Sequence, residues 1–405
     1  MRTDCYCYYY KAPLTNILMF IHLLSSMIKT AGSAIRGECG GADGTSSALV
    51  GLSNSSMAAD APKADLSKAM KDVEIDEPAD RFIHRPCAQL LVRGLLTLPR
   101  GLVPTPNFIT LMSLLVGWTA AAFMWDGMSS GILSLGGDAS ASVFGLGAGT
   151  SLRCAGVLMF LSLVFDCMDG QLARATGQTS PIGRFLDGIA DMLVIFSYSS
   201  VVIVCGARAH GALWCPFLVA SCISLQQHVL FYDKVKIAFD LRFQAKSAKD
   251  VKKRIADYGL DKSVILAQKA AATDVFSKAC LSFAVFYQAS LNMDGVCKDA
   301  ATRQETGKGL PTARNREDAK IAMRLVSFLG TGTHLFMWYL STFTGATHQM
   351  VPYYWLVLNI VAGNAFHLLA WQKSTAAGLV EDPPFEPSSA LPFVIWGCVL
   401  YIWVC

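Results

Sequence analysis

The sequence predicts an all-α integral membrane protein, a six-helix transmembrane core preceded by a juxtamembrane amphipathic helix. Three observations carry that expectation. The 405 residues are 53% apolar and only 16% charged, whereas soluble domains run at roughly 25% charged, and mean hydropathy is +0.40. Apolar runs of near-membrane length recur along the chain, close to the roughly 20 residues a helix needs to cross hydrocarbon. Basic residues gather in two segments beside those runs, the bias of a cytoplasmic membrane face. A disordered chain is excluded, and a net charge of +4 is too small for a nucleic-acid binder. The 13 cysteines sit mostly inside apolar runs (Cys154, Cys205, Cys215, Cys222, Cys280), where Cys acts as a small hydrophobe. Cys5-x-Cys7 lacks a second ligand pair, so neither a zinc site nor a disulfide scaffold is expected.

Residues 1–64 read as a signal-anchor-like segment and a disordered linker. Arg2 and Lys11 precede the apolar stretch Leu14–Ile28, Lys29 follows, and the Gly/Ser/Ala-rich remainder has no apolar period. Residues 65–104 carry an interfacial helix in which Arg81, Arg85 and Arg93 alternate with Phe82, Ile83, Leu90, Leu91, Leu95 and Leu98. Thr105-Pro106-Asn107 opens the membrane core of residues 105–232. Its four spans are expected at Phe108–Trp125, Leu152–Leu172, Gly183–Gly206 and Ala212–Tyr232, with Gly127–Gly149 a far-side loop. Residues 233–322 form a basic insert, with ten Lys or Arg against five Asp over 233–269, which marks that side as cytoplasmic. Within it, 275–291 is apolar but short and carries Lys278, so a surface or re-entrant helix is expected. Spans five and six follow at Met323–Phe343 and Tyr353–Trp371, and residues 372–405 are a Pro-rich linker and an apolar tail. The Trp/Tyr run at 353–355 reads as an interfacial belt. Lys252-Lys253-Arg254 reads as a solvated or lipid-headgroup-facing run.

The chemistry concentrates between spans two and three. Asp166 and Asp169, at i and i+3, share one face of the helix they end, and Asp187 and Asp191, at i and i+4, share one face of the next. The turn around Gly177–Pro181 makes the two helices antiparallel neighbours, so the carboxylate pairs face one another. Four acids at membrane depth repel and cost several kcal/mol each to desolvate, which divalent cations would offset. Oxygen ligands without His or Cys select Mg²⁺, Mn²⁺ or Ca²⁺ over zinc. Gly170 and Ala173 leave room for a bulky ligand, Arg174 offers a planar fork to phosphate, and Gly183 lets the helices approach. Two hard cations, an arginine and a spare carboxylate suit phosphoryl or phosphatidyl transfer. Each acid alone would serve as a helix cap; all eight positions together would not arise by capping. His84, His228, His334, His348 and His367 fall at no ligand spacing and read as hydrogen-bonding residues.

The run Asp166-x2-Asp169-Gly170-x2-Ala173-Arg174-x8-Gly183-x3-Asp187-x3-Asp191 resembles, position for position, the signature of the CDP-alcohol phosphotransferase family. The resemblance implies a six-helix membrane enzyme of phospholipid biosynthesis that displaces CMP from a CDP-linked donor with a lipid or polar alcohol. It implies that Asp166, Asp169, Asp187 and Asp191 bind two ions, Mg²⁺ or Mn²⁺, with Asp191 doubling as general base. Gly170, Ala173 and Arg174 resemble the CDP-contacting positions, with Ser180, Asn107 and Thr110 as further candidates. Choline and ethanolamine members usually carry His where this chain has Gly188, and Arg81–Pro86 looks more like inositol- or glycerol-phosphate-type members. The partners expected are the donor, the alcohol and the bilayer, not nucleic acid, and a homodimer is open to such a core. The endoplasmic reticulum is expected, with the site facing the cytoplasm; the mitochondrial inner membrane and Golgi are alternatives. The rival class is a catalytically inactive homologue or a divalent-cation transporter, which would need charged or broken positions in several spans.

Overall fold

The computed structural model describes residues 76–135, 142–178, 181–211, 215–273, 275–307, 312–344 and 354–380. The expected signal-anchor segment, the linker and the apolar tail lie outside these residues. Among the described residues the fold is all-helical, with no strand.

Helix α1 (Arg85–Leu96), entered through the π-helical turn Asp80–His84, leads to α2 (Pro106–Leu135), α3 (Ala148–Thr176), α4 (Pro181–His210) and α5 (Cys215–Phe239). Helices α2 to α5 are long and apolar enough to cross a membrane, which makes the chain an integral membrane protein. Thr105 starts α2: its hydroxyl accepts the Phe108 N–H at 3.3 Å, and Pro106 occupies a position where a missing N–H costs nothing. Helix α2 packs along α3, where Ser113 and Ser162 each donate to the other's carbonyl at 2.8 and 2.9 Å. Two hydroxyls are thereby satisfied in an apolar setting, and the helices are held in register. Met124, Met128, Met159 and Tyr198, with Trp338 from a later helix, fill the core between α2, α3 and α4.

Three expected boundaries move. Helix α2 runs past Trp125 to Leu135, into the stretch expected to be loop. Asp126, buried at 1% exposure, secures the far end by accepting from Ser142 at 2.9 Å and Ser151 at 2.6 Å. Helix α5 passes Tyr232 and continues through a π-helical turn to Gln244. Its charged extension stays helical because it is paired: Asp240 accepts from Arg254 and Tyr258, and Arg242 meets Asp299 at 2.9 Å. The expected fifth span is broken, with α10 (Ala313–Val326) and α11 (Thr331–Phe343) separated by a 3₁₀ turn and an extended Gly330.

The basic insert is a folded layer of α6 (Ala248–Asp257), α7 (Lys262–Ala271), α8 (Val275–Leu291) and α9 (Asp294–Thr306). Ser247 and Asp261 cap α6 and α7 with their side chains, as the helix N-termini require. Helix α8 packs against α4 and α5. Its Tyr287 donates to Asp233 at 2.6 Å. A π-helical stretch (Tyr354–Gly363) leading into α12 (Asn364–Ala376) closes the described chain against α5.

Candidate active site

The acids meet where α3 ends and α4 begins. Helix α3 stops because Gly177 takes a left-handed φ of 71° and returns its N–H to the Ala173 carbonyl, a stop that suits glycine. Helix α4 begins at Pro181, a few residues further along the chain. Ligand oxygens of Asp166, Asp169 and Asp187 then lie within 4.8 Å of one another. Asp191 stands one turn further along α4, outside that trio. With Asp166 it lines a cavity of about 20 Å³ whose other polar walls are Ser113, Ser162 and Tyr198.

Each residue of the pattern has a place. Asp169 is buried at 5% exposure and accepts from the Thr110 hydroxyl, so Thr110, reaching across from α2, orients a carboxylate of the cluster. A Cβ on Gly170 would meet the Arg174 guanidinium at 3.3 Å; the bare backbone lets the arginine fold over it. Ala173 is half-buried, and its carbonyl closes the helix stop. Gly183 is half-buried in the first turn of α4. Asn107 is exposed at the start of α2. Ser180 lies outside the described residues. The Gly188 position faces Phe283 of α8, 3.4 Å from where a Cβ would lie, so α8 borders the site.

The cluster suits a hard divalent cation. All its ligand atoms are carboxylate oxygens, and Asp187 Oδ1 is buried without a hydrogen-bond partner among the described residues. A lone pair left this way is costly unless a cation takes it.

Sequence reasoning missed two groupings. Asp76, Glu77 and Asp80, at the start of the α1 segment, sit beside the site: Gln171, next to Gly170, donates to the Arg85 carbonyl at 3.1 Å, and Asp76 pairs with that arginine's guanidinium. Glu77 accepts the Thr333 N–H at 2.9 Å at the start of α11. Burial, and then Asp80 beside it, push the Glu77 carboxyl well above the usual carboxylate range. The density of acids ahead of an otherwise basic helix was the only signal in the sequence. The second grouping is histidine. His228, His334 and His367 come from three helices, yet the His228 ring lies 5.3 Å from each of the other two. His228 also meets Asn364 at 3.1 Å, so a polar seam runs between α5, α11 and α12. His348 lies outside the described residues.

With this geometry in view, residues 103–242 match the family model described as CDP-alcohol phosphatidyltransferase. Over that stretch the chain is similar to the CDP-alcohol phosphatidyltransferase domain. The matched stretch includes all four aspartates of the phosphatidyltransferase pattern and excludes α1 and the helices after Arg242. Among curated proteins, archaetidylinositol phosphate synthase of Aeropyrum pernix is 37% identical over 76 residues, covering 17% of this chain and 39% of that protein. No solved structure matches.

Proposed function

We propose that the protein is a membrane phosphotransferase of phospholipid biosynthesis, displacing CMP from a CDP-linked donor by attack of a hydroxyl acceptor. The observation that carries this reading is the convergence of three carboxylates from two helices, with a fourth one turn away and an arginine folded over a glycine beside them. Asp166, Asp169 and Asp187 would hold Mg²⁺ or Mn²⁺, with Asp191 contributing a fourth carboxylate. Such ions supply neutralisation of the donor's pyrophosphate charge as CMP departs.

The chain's own residues do the rest. Gly170 and Ala173 leave the backbone of α3 open to the nucleotide, and Arg174 presents paired N–H donors to a phosphate. Thr110 holds Asp169 in place. Asp191 accepts the proton as the acceptor's O–H bond breaks. The acceptor oxygen then bonds to phosphorus, and the phosphorus–oxygen bond to CMP breaks, with CMP leaving as the anion. Either CDP-diacylglycerol donates phosphatidate to a polar alcohol, or a CDP-alcohol donates its headgroup to diacylglycerol. Helices α11 and α12, with the π-helical stretch before α12, complete a six-helix core in this reading. Helix α1 lies on the cytoplasmic face of the endoplasmic reticulum in this reading, with the Golgi or the mitochondrial inner membrane as alternatives.

CMP release by purified protein, with each donor in turn and Mg²⁺ or Mn²⁺ present, tests the proposal. Absence of CMP release with every donor would refute it, and ion flux in liposomes without CMP chemistry would favour a transporter.

A further inference from the structure

Beside the candidate site the chain supplies its own carboxyl groups. Asp76 is buried and pairs with Arg85 and, at 3.7 Å, with Lys236 of α5. Glu77, also buried, takes the Thr333 N–H at 2.9 Å. Asp80 accepts from His84 at 2.8 Å. The start of α11 is shaped to admit them: a Cβ on Gly330 would overlap the Glu77 carboxyl, and one on Gly332 would overlap Asp80. These groups border the acid-bearing end of α3, since Gln171, next to Gly170, donates to the Arg85 carbonyl at 3.1 Å.

A phosphate-bearing alcohol approaching Asp191 would need cations and free N–H donors next to the cluster. Arg85, Lys236 and the first turn of α11 are the groups placed to supply them, and carboxylates of this chain already engage all three. An incoming phosphate would have to displace Asp76 from two cations while facing Asp80. Like charges brought together in a partly buried site are a strong means of rejection. An alcohol that is neutral or cationic meets no such barrier.

We infer that the hydroxyl acceptor carries no phosphate, and that Asp76 is the residue that sets this selectivity. The inference rests on the phosphotransferase reading and narrows its substrate class. It holds for either donor, because diacylglycerol, polyols and amino alcohols all lack phosphate.

The test is CMP release by the full-length protein in liposomes. With CDP-diacylglycerol as donor, myo-inositol, glycerol, choline and ethanolamine are compared with sn-glycerol 3-phosphate and inositol 1-phosphate. With CDP-ethanolamine as donor, diacylglycerol is the acceptor. The wild type should favour a phosphate-free acceptor by about 100-fold or more in kcat/KM. Asp76→Asn frees Arg85 and Lys236 and should shrink that preference about tenfold, whereas Asp76→Glu, which keeps the charge, should retain it. Thermal unfolding establishes that both variants are folded, and if Asp76→Asn is not, the wild-type preference and Asp76→Glu still decide. A wild type that prefers phosphate-bearing alcohols overturns the inference while leaving the phosphotransferase reading intact. An unchanged preference in folded Asp76→Asn overturns the role of Asp76. No CMP release with any donor and acceptor overturns both readings together.

Discussion

Replacing Thr110 with Val tests whether the acid cluster is a metal centre held in place from α2. The two side chains have nearly the same shape, so the change removes one hydroxyl and little packing. That hydroxyl donates to Asp169 Oδ2, and both residues are 5% exposed, so water has little access to replace the bond. Its other contact, to the Pro106 carbonyl at 3.3 Å, is weak. A hydrogen bond to a charged group is worth about 1.5–3 kcal/mol, which at about 1.4 kcal/mol per decade is roughly 10- to 150-fold in an equilibrium constant. The same range, about 10- to 100-fold, is typical of removing the group that orients a metal ligand. Thr110→Val should therefore raise the Mn²⁺ concentration for half-maximal CMP release by about 10- to 100-fold. Turnover at saturating Mn²⁺ should largely recover, and Thr110→Ser, which restores the hydroxyl, should behave as wild type. Manganese binding followed by electron paramagnetic resonance gives the same constant without turnover. A folded Thr110→Val protein with unchanged Mn²⁺ affinity would refute the argument, because Asp169 would then not be a ligand that Thr110 positions.

Asp166→Asn, Asp169→Asn and Asp187→Asn should each abolish CMP release and weaken its Mg²⁺ dependence, and near-normal activity in any two of them would show the ligand set is wrong. Asp191→Asn should lower turnover by about 10²–10⁴-fold while metal-dependent CDP binding survives; loss of nucleotide and metal binding as complete as in Asp187→Asn would make Asp191 a ligand rather than the base. Glu77→Gln should change how stability depends on pH. The folded-state pKa of Glu77 is raised, so the folded protein holds this proton more tightly than the unfolded chain does. Its contribution is fully present below the ordinary carboxylate value and is lost as pH rises through the folded-state value. The wild type should lose thermal stability over that interval and Glu77→Gln should lose less, keeping the contact to Thr333 through its amide oxygen; parallel pH profiles of the two Tm values would contradict this.

The part of the site legible in the sequence is the part written within one turn of a helix. Asp166 with Asp169, and Asp187 with Asp191, fall on common faces because of the helical repeat. Helix α3 stops at Gly177 and α4 begins at Pro181, so few residues separate the two pairs and the cluster is close to local. Thr110 entered by resemblance alone; its contact with Asp169 depends on how α2 leans on α3. The fifth span looked continuous because hydropathy responds to apolar content, whereas the break at Gly330 exists to seat Glu77, a partner more than 250 positions earlier in the chain. The basic stretch after Tyr232 read as an insert on the cytoplasmic side because charge is read residue by residue. Burial of Asp240 and Arg242 becomes tolerable once Arg254, Tyr258 and Asp299 arrive to pair with them.

By itself the sequence determined the solvent this protein lives in, the positions of four long apolar helices and the four aspartates on which the proposed chemistry rests. Those are local properties: hydrophobic run length and side-chain direction are set by residues within a few positions of one another. The tertiary structure decided what surrounds that chemistry. It placed Thr110 against Asp169, set Asp76 between Arg85 and Lys236, put Phe283 opposite Gly188 and gathered three histidines from three helices. Helix faces pack on partners far away in sequence, and an ion pair between residues 76 and 236 leaves no periodic trace in either segment, because its energy exists only once the helices have met.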